Sequence, residues 1–144
     1  MEIKFFSQLP VHLKERKRLK QFLKDFMINE GVTCTSLHFI FCDDEYLLEI
    51  NRRFLDHDFY TDIISFNLAV AGAPLEAEFY ISVPRVRENA RKHQFTFHLE
   101  LLRVIIHGVL HFAGFDDKTP YAKKKMTKRE DYYLNLFHVP RGTT

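Results

Sequence analysis

The chain has 144 residues, 46% of them hydrophobic and 28% charged, enough for one domain with a real core and too few for two comfortable ones. A net charge of +2 provides no global field for a polyanion, so any such affinity has to come from local patches. No stretch approaches the roughly eighteen apolar residues of a membrane span, and Lys- and Arg-rich sequence cuts in before a signal-peptide core can form, so we expect a cytoplasmic protein without a membrane partner.

Residues 2–6 alternate weakly and read as a short opening strand, closed by Pro10. Residues 11–30 place Leu13, Leu19, Phe22, Leu23, Phe26 and Met27 on one stripe, which predicts a helix ended by Gly31. Its other face holds Lys14, Arg16, Lys17, Arg18, Lys20 and Lys24, a solvated face in the plainest reading and a phosphate-contacting one in the functional reading. A strand follows over 35–42. Cys34 and Cys42 lie roughly 26 Å apart if this stretch is extended, which makes them reduced thiols rather than a disulfide. Asp43 and Asp44 cap a helix that runs to about Phe54 with Leu47, Leu48 and Ile50 inward. After a loop at 55–60 come a strand over 61–68, a turn at Ala71-Gly72-Ala73-Pro74 and a strand over 76–83. Pro84 suits the first turn of a helix through His93 that carries Arg85, Arg87, Arg91 and Lys92, and a break at 94–96 separates it from the next helix. Thr119 and Pro120 start the last helix, with Met126, Tyr133, Leu134 and Phe137 inward and Lys123, Lys124, Lys125, Lys128 and Arg129 outside, partly offset by Glu130 and Asp131.

The order predicts an α/β (α+β) fold in which a small mixed sheet backs the helices, because the strand pair before Pro84 can form a hairpin while the earlier strands require crossovers. Fifteen Phe, six Tyr and no Trp predict an aromatic core, with a nucleotide-stacking surface as the functional alternative.

The helix after the break carries the chemistry. Leu101, Leu102, Val104, Ile105, Ile106, Val109, Leu110 and Phe112 leave it almost no polar face, so it is predicted to be buried on most sides. His107 and His111 share one face, with Cβ atoms about 5–6 Å apart, close enough for two imidazoles to grip one ion. A lone core histidine is the bland alternative, but two buried imidazoles without partners are costly and a metal satisfies both. Gly114 falls where a left-handed cap turns the chain back toward this face, which brings Asp117 within reach as a third ligand.

The pattern His107-Gly108-Val109-Leu110-His111, followed by Gly114 and Asp117, resembles the rRNA maturation factor family, the YbeY-type single-strand-specific endoribonucleases. That family's motif reads HGxLHLxGYDH and holds a zinc-like ion on three histidines. Matching by position gives His107 and His111 the first two ligand places and selects Asp117, six residues after His111, over Asp116. A second block of the family, approximately LNxxYRxxDxxTDVLSF, is followed closely by Ile50 to Phe66, with Leu55 standing where the family has an arginine credited with phosphate contact. The family's Gly-Asp at the start of the later strand is Ala77-Glu78 here. The resemblance covers roughly residues 36–137 and implies a four-stranded mixed sheet, about five helices and a metal cleft beside the sheet in a single domain. With Leu55 uncharged, the substitutes expected to hold substrate are Arg52, Arg53 and Lys118.

Three protein ligands leave a position for water, the mark of a catalytic zinc site, and the expected catalytic group is that metal-bound water. Gly108 stands where the HExxH proteases carry their glutamate base, which argues against a metalloprotease. An RNA phosphodiester brings its own 2′-hydroxyl nucleophile. Asp117 in place of an imidazole lowers the formal charge of a divalent site from +2 to +1 and hardens the ligand set, so zinc is expected first, with manganese, iron or nickel as the other divalent ions. The leading expectation is a metal-dependent endoribonuclease of rRNA maturation or ribosome quality control, with single-stranded rRNA and the ribosomal subunit or assembly factors as partners. The alternatives are a non-catalytic ribosome-assembly or RNA-binding factor with a structural metal, making contact through the Lys14 to Lys24 face, and a two-His, one-carboxylate iron oxygenase.

Overall fold

Alternation along residues 34–42 puts Leu37, Phe39 and Phe41 on one side of a strand, and the computed structural model, which describes residues 1–138, lays its sheet beside that strand. Among those residues the elements run β1 (Glu2–Ser7), α1 (Arg16–Asn29), β2 (Cys34–Cys42), α2 (Asp44–Leu55), β3 (Ile63–Asn67), β4 (Leu75–Ser82), α3 (Val83–His93), α4 (Phe97–Phe112) and α5 (Pro120–His138). They form a four-stranded sheet of order β1-β2-β4-β3, with β1, β2 and β4 parallel and β3 antiparallel to β4. This is the mixed α/β sheet with five helices expected from the chain, hairpin and crossovers included. None of the helices alone is long and apolar enough to cross a membrane.

One face of the sheet carries the main core. Phe39 and Phe79 stack across β2 and β4 at 4.7 Å, Phe5 adds a third ring at 5.5 Å from Phe39, and α1, α4 and α5 close over them with Leu19, Leu23, Ile105, Val109 and Phe137. Each such side chain, fully buried, contributes about 1.5–3 kcal/mol of apolar transfer. The opposite face is covered by α2, whose Leu47 and Ile50 pack on Cys42 and Ile64. Cys34 and Cys42 are free thiols at opposite ends of β2.

Several element ends differ from expectation by one or more residues, and two of them have a clear local reason. The helix predicted from residue 11 begins at Arg16, because Glu15 takes a left-handed conformation (φ 53°) that a right-handed helix cannot continue through; Leu13 is buried from outside the helix. The strand predicted over 61–68 stops at Asn67, whose Oδ1 accepts from the backbone N–H groups of Ala69 (3.0 Å) and Glu76 (3.4 Å) and so starts the hairpin turn.

Candidate metal centre

Thr96 starts α4 by accepting, through Oγ1, the backbone N–H of Leu99 at 3.1 Å, and the apolar run behind it buries Leu101, Leu102, Val104, Ile105, Ile106, Val109 and Leu110. Gly108 has a packing reason. A Cβ there would lie 2.6 Å from Ile63 Cδ1 and 3.0 Å from Phe79 Cδ1, so glycine lets this turn of helix seat closely against β3 and β4 without displacing those side chains. That close approach aims the neighbouring His107 and His111 past the edge strand into an open cleft of about 460 Å³ between the end of α2, β3 and α4.

The helix stops as expected. Gly114 sits at φ 98°, its N–H donates to His111 O at 3.2 Å, and the N–H of Phe115 reaches back to Leu110 O at 3.1 Å, a complete Schellman cap that reverses the chain. Asp116 then accepts the N–H of Lys118 through Oδ1 at 3.1 Å, which engages its carboxylate in the turn and leaves Asp117 directed at the histidines. His107 Nε2 lies 3.0 Å from His111 Nε2 and 3.6 Å from Asp117 Oδ2, and one donor atom from each of the three falls within 4.8 Å of the others. Donors about 2.1 Å from a common tetrahedral centre stand about 3.4 Å apart, so two imidazole nitrogens and a carboxylate oxygen in this arrangement fit a single divalent ion. His111 is exposed and His107 half-buried, so the pair lies at the cleft surface rather than inside the core.

Behind His107 stands Glu130, which the sequence reading set on the outer face of the last helix. The structure corrects this: Glu130 is 6% exposed, accepting from His107 Nδ1 at 2.6 Å through Oε2 and from Arg103 Nη1 at 3.0 Å through Oε1, while Arg103 Nη2 reaches Asp131 at 2.9 Å. Since a carboxylate only accepts, the proton is on Nδ1 and the Nε2 lone pair faces the cleft. Burial pulls the His107 pKa down, the hydrogen bond and charge of Glu130 outweigh it, and the net shift is upward. For His111 the shift is downward, through burial and then the charge of His107. The signal for Glu130 was present in the sequence, for it stands at helical spacing from Met126, Tyr133, Leu134 and Phe137, the residues of the buried stripe.

Of the remaining lining, Leu55 was singled out from sequence, and the structure places it on the cleft wall; Asn51 and Asp62 were not singled out. Asn51 is buried at the end of α2; its backbone carbonyl accepts from His57 N at 3.1 Å and its side-chain amide donates to Phe59 O at 2.8 Å, which fixes the loop over 56–62 above the cleft. Asp62 lines both the cleft and a small cavity of about 100 Å³ behind His107, which it shares with Glu100 and Glu130. Burial pushes the Asp62 pKa up, against the pull of His107. The structure does not bring Arg52, Arg53 or Lys118 onto the cleft lining. Arg52 pairs with Asp58 at 2.5 Å, Arg53 borders a separate groove with Phe54 and Tyr80, and Lys118 is exposed beyond the ligand turn. The α1 cations are also outside it, with Arg18 paired to Glu15 at 3.0 Å.

Comparison with known proteins places this architecture among RNA-cleaving hydrolases. A protein of Christiangramia forsetii named Endoribonuclease YbeY is 44% identical over 138 residues, covering 96% of each chain, and one of the same name from Cytophaga hutchinsonii is 42% identical over 132 residues, covering 92% of each. A solution structure of TM1509 from Thermotoga maritima superposes with a TM-score of 0.57 at 25% identity, covering 100% of this chain and 99% of that one. The family model for Endoribonuclease YbeY matches residues 7–138, and the chain belongs to that family. The match begins well before residue 36, so it takes in α1 as well as the blocks that carried the resemblance.

Proposed function

We propose that the chain is a metal-dependent, single-strand-specific endoribonuclease of rRNA maturation or ribosome quality control, holding one divalent ion, zinc first, on His107, His111 and Asp117. The observation that carries this reading is the pair of facing Nε2 atoms 3.0 Å apart, joined by the Asp117 carboxylate, on an open cleft. When bound, such an ion supplies Lewis acidity toward a phosphoryl oxygen and toward water. The chain's own groups prepare the place for it. Glu130 keeps the proton on His107 Nδ1, Gly114 returns Asp117 to the histidine face, and Asp62 offers a second carboxyl on the cleft wall for proton transfer. A cleft of about 460 Å³ has room for one nucleotide, which is in keeping with single-strand specificity. Arg53 and Lys118, outside the lining, are left for phosphates of the flanking strand, and a cytoplasmic location beside the ribosomal subunit belongs to the same reading.

The alternative of a structural metal is disfavoured by α4 and α5 themselves, which Arg103, Glu130, Asp131 and His107 already tie together without an ion. The test is elemental analysis of the purified protein paired with cleavage of single-stranded RNA, with and without EDTA. We expect about one metal per chain and cleavage abolished by chelation. Cleavage that persists in EDTA and in His111→Ala would refute the metal-dependent reading.

A further inference from the structure

An RNA phosphate brought to this cleft meets an unusual wall. Among the described residues no lysine or arginine lines it, and two of its residues, Asp62 and Asp117, are acidic. Once His107 and His111 are committed to an ion, His57 is, among the described residues, the one lining side chain left that combines an N–H donor with the capacity for positive charge. Beside it, Phe59 is 56% exposed, an apolar ring held out at the cleft mouth. The two rings are stacked, with centroids 5.1 Å apart and planes at 24°. Their loop is clamped at both positions by Asn51, which accepts the N–H of His57 and donates to the carbonyl of Phe59. The left-handed turn at Asp56 (φ 53°), where α2 ends, throws the loop over the cleft. A buried residue thus holds two exposed rings in register, and neither ring is needed by the core.

We propose that His57 and Phe59 form a nucleotide subsite adjoining the metal centre, in which Phe59 stacks an unpaired RNA base and His57 donates an N–H to a phosphate oxygen of the same or the next nucleotide. The subsite rests on the endoribonuclease reading and names the residues that position its substrate. Stacking on an aromatic face is sequence-tolerant and open only to an unpaired base. Either neutral tautomer of His57 presents one N–H, so the contact does not depend on its protonation. Preorganisation by Asn51 means that little loop entropy is lost on binding.

The experiment uses the zinc-loaded full chain and a fluorescein-labelled, 2′-O-methyl single-stranded RNA, read by anisotropy, together with KM and kcat on the cleavable RNA. Phe59→Ala is expected to bind about 5- to 150-fold more weakly, the range of losing one stacked base. Phe59→Tyr should restore binding to within about twofold, since the ring face is kept. His57→Ala should weaken binding severalfold and His57→Gln, which keeps an N–H, should recover it. In each case KM moves while kcat and zinc content stay, a separation that a merely structural role would not produce. Wild-type affinity in both alanine variants overturns the subsite, as does a loss of zinc or of thermal stability in Phe59→Ala that accounts for its weaker binding. If the zinc-loaded wild type binds no RNA, the endoribonuclease reading itself fails and the subsite falls with it.

Discussion

Replacing Glu130 by glutamine tests the metal centre from behind while keeping its volume. In the native protein the buried carboxylate receives His107 Nδ1 at 2.6 Å and Arg103 Nη1 at 3.0 Å. A hydrogen bond to an ionised group contributes about 1.5–3 kcal/mol against about 1 for a neutral pair, so the amide forfeits about 0.5–2 kcal/mol of support for the ligand, centred near 1.3. At 1.4 kcal/mol per decade this is about a tenfold loss of zinc affinity, the lower end of the range for groups that orient ligating histidines. Zinc affinity is read by competition with a chromophoric chelator, and folding separately by denaturant titration in EDTA. The pH dependence has a defined sign. Glu130 raises the His107 pKa, so protons compete for the native imidazole at higher pH than in the variant. The affinity gap is therefore full above the native His107 pKa and narrows as pH falls through it. Glu130→Gln that binds zinc within twofold of wild type across pH, with unchanged stability, would refute the assignment.

Other substitutions separate neighbouring roles. Asp117→Asn and His111→Ala should lose most bound metal while Asp116→Asn keeps it, since Asp116 serves the backbone turn at Lys118; elemental analysis showing the reverse would relocate the third ligand. Gly108→Ala should forfeit the roughly 1 kcal/mol that alanine ordinarily gains over glycine in a helix interior, because its Cβ would sit 2.6 Å from Ile63 Cδ1, and a variant about 1 kcal/mol more stable than wild type by denaturant titration would show that α4 does not need this close seat. Glu100 is 3% exposed with Oε1 lacking a hydrogen-bond partner, and burial raises its pKa above the ordinary 4.5 against the pull of His93. The folded state therefore holds the Glu100 proton more tightly than the unfolded chain, and stability falls as pH rises from 4.5 through the folded pKa. Glu100→Gln should be the more stable protein at pH 7, by about 1–3 kcal/mol, and lose that advantage near pH 4; a pH-independent difference would be against it.

Much of the site was legible because its signals are local. Thr96, Gly114 and the two histidines four apart each act within one helical turn, and their consequences appeared where the spacing put them. The sheet's connectivity followed from the positions of the turns and from how much chain lay between strands. Glu130 escaped because a carboxylate among Lys128, Arg129 and Asp131 reads as surface charge, and only its partners on α4 make it an inner residue. Asn51 looked like one polar residue of a helix end, yet its two hydrogen bonds reach six and eight residues along the chain to hold a loop. Arg52 was read as free for substrate when Asp58, across the turn, already holds it. For Asn51 and Arg52 the missing term is a partner brought near by the fold, which residue type and spacing do not carry; for Glu130 spacing marked the buried stripe but not the partners on α4.

The link between His107 and Glu130 also sets an order of events during synthesis. Glu130 is translated 23 residues after the histidine it orients, an interval of about 1–5 s at usual elongation rates. Until α5 packs along α4, the Glu130 carboxylate is not in place to hold the His107 proton on Nδ1. On the proposed function, capture of an ion in the final geometry would wait on docking of α5, so the folding of a distant segment would act as a timer on the site.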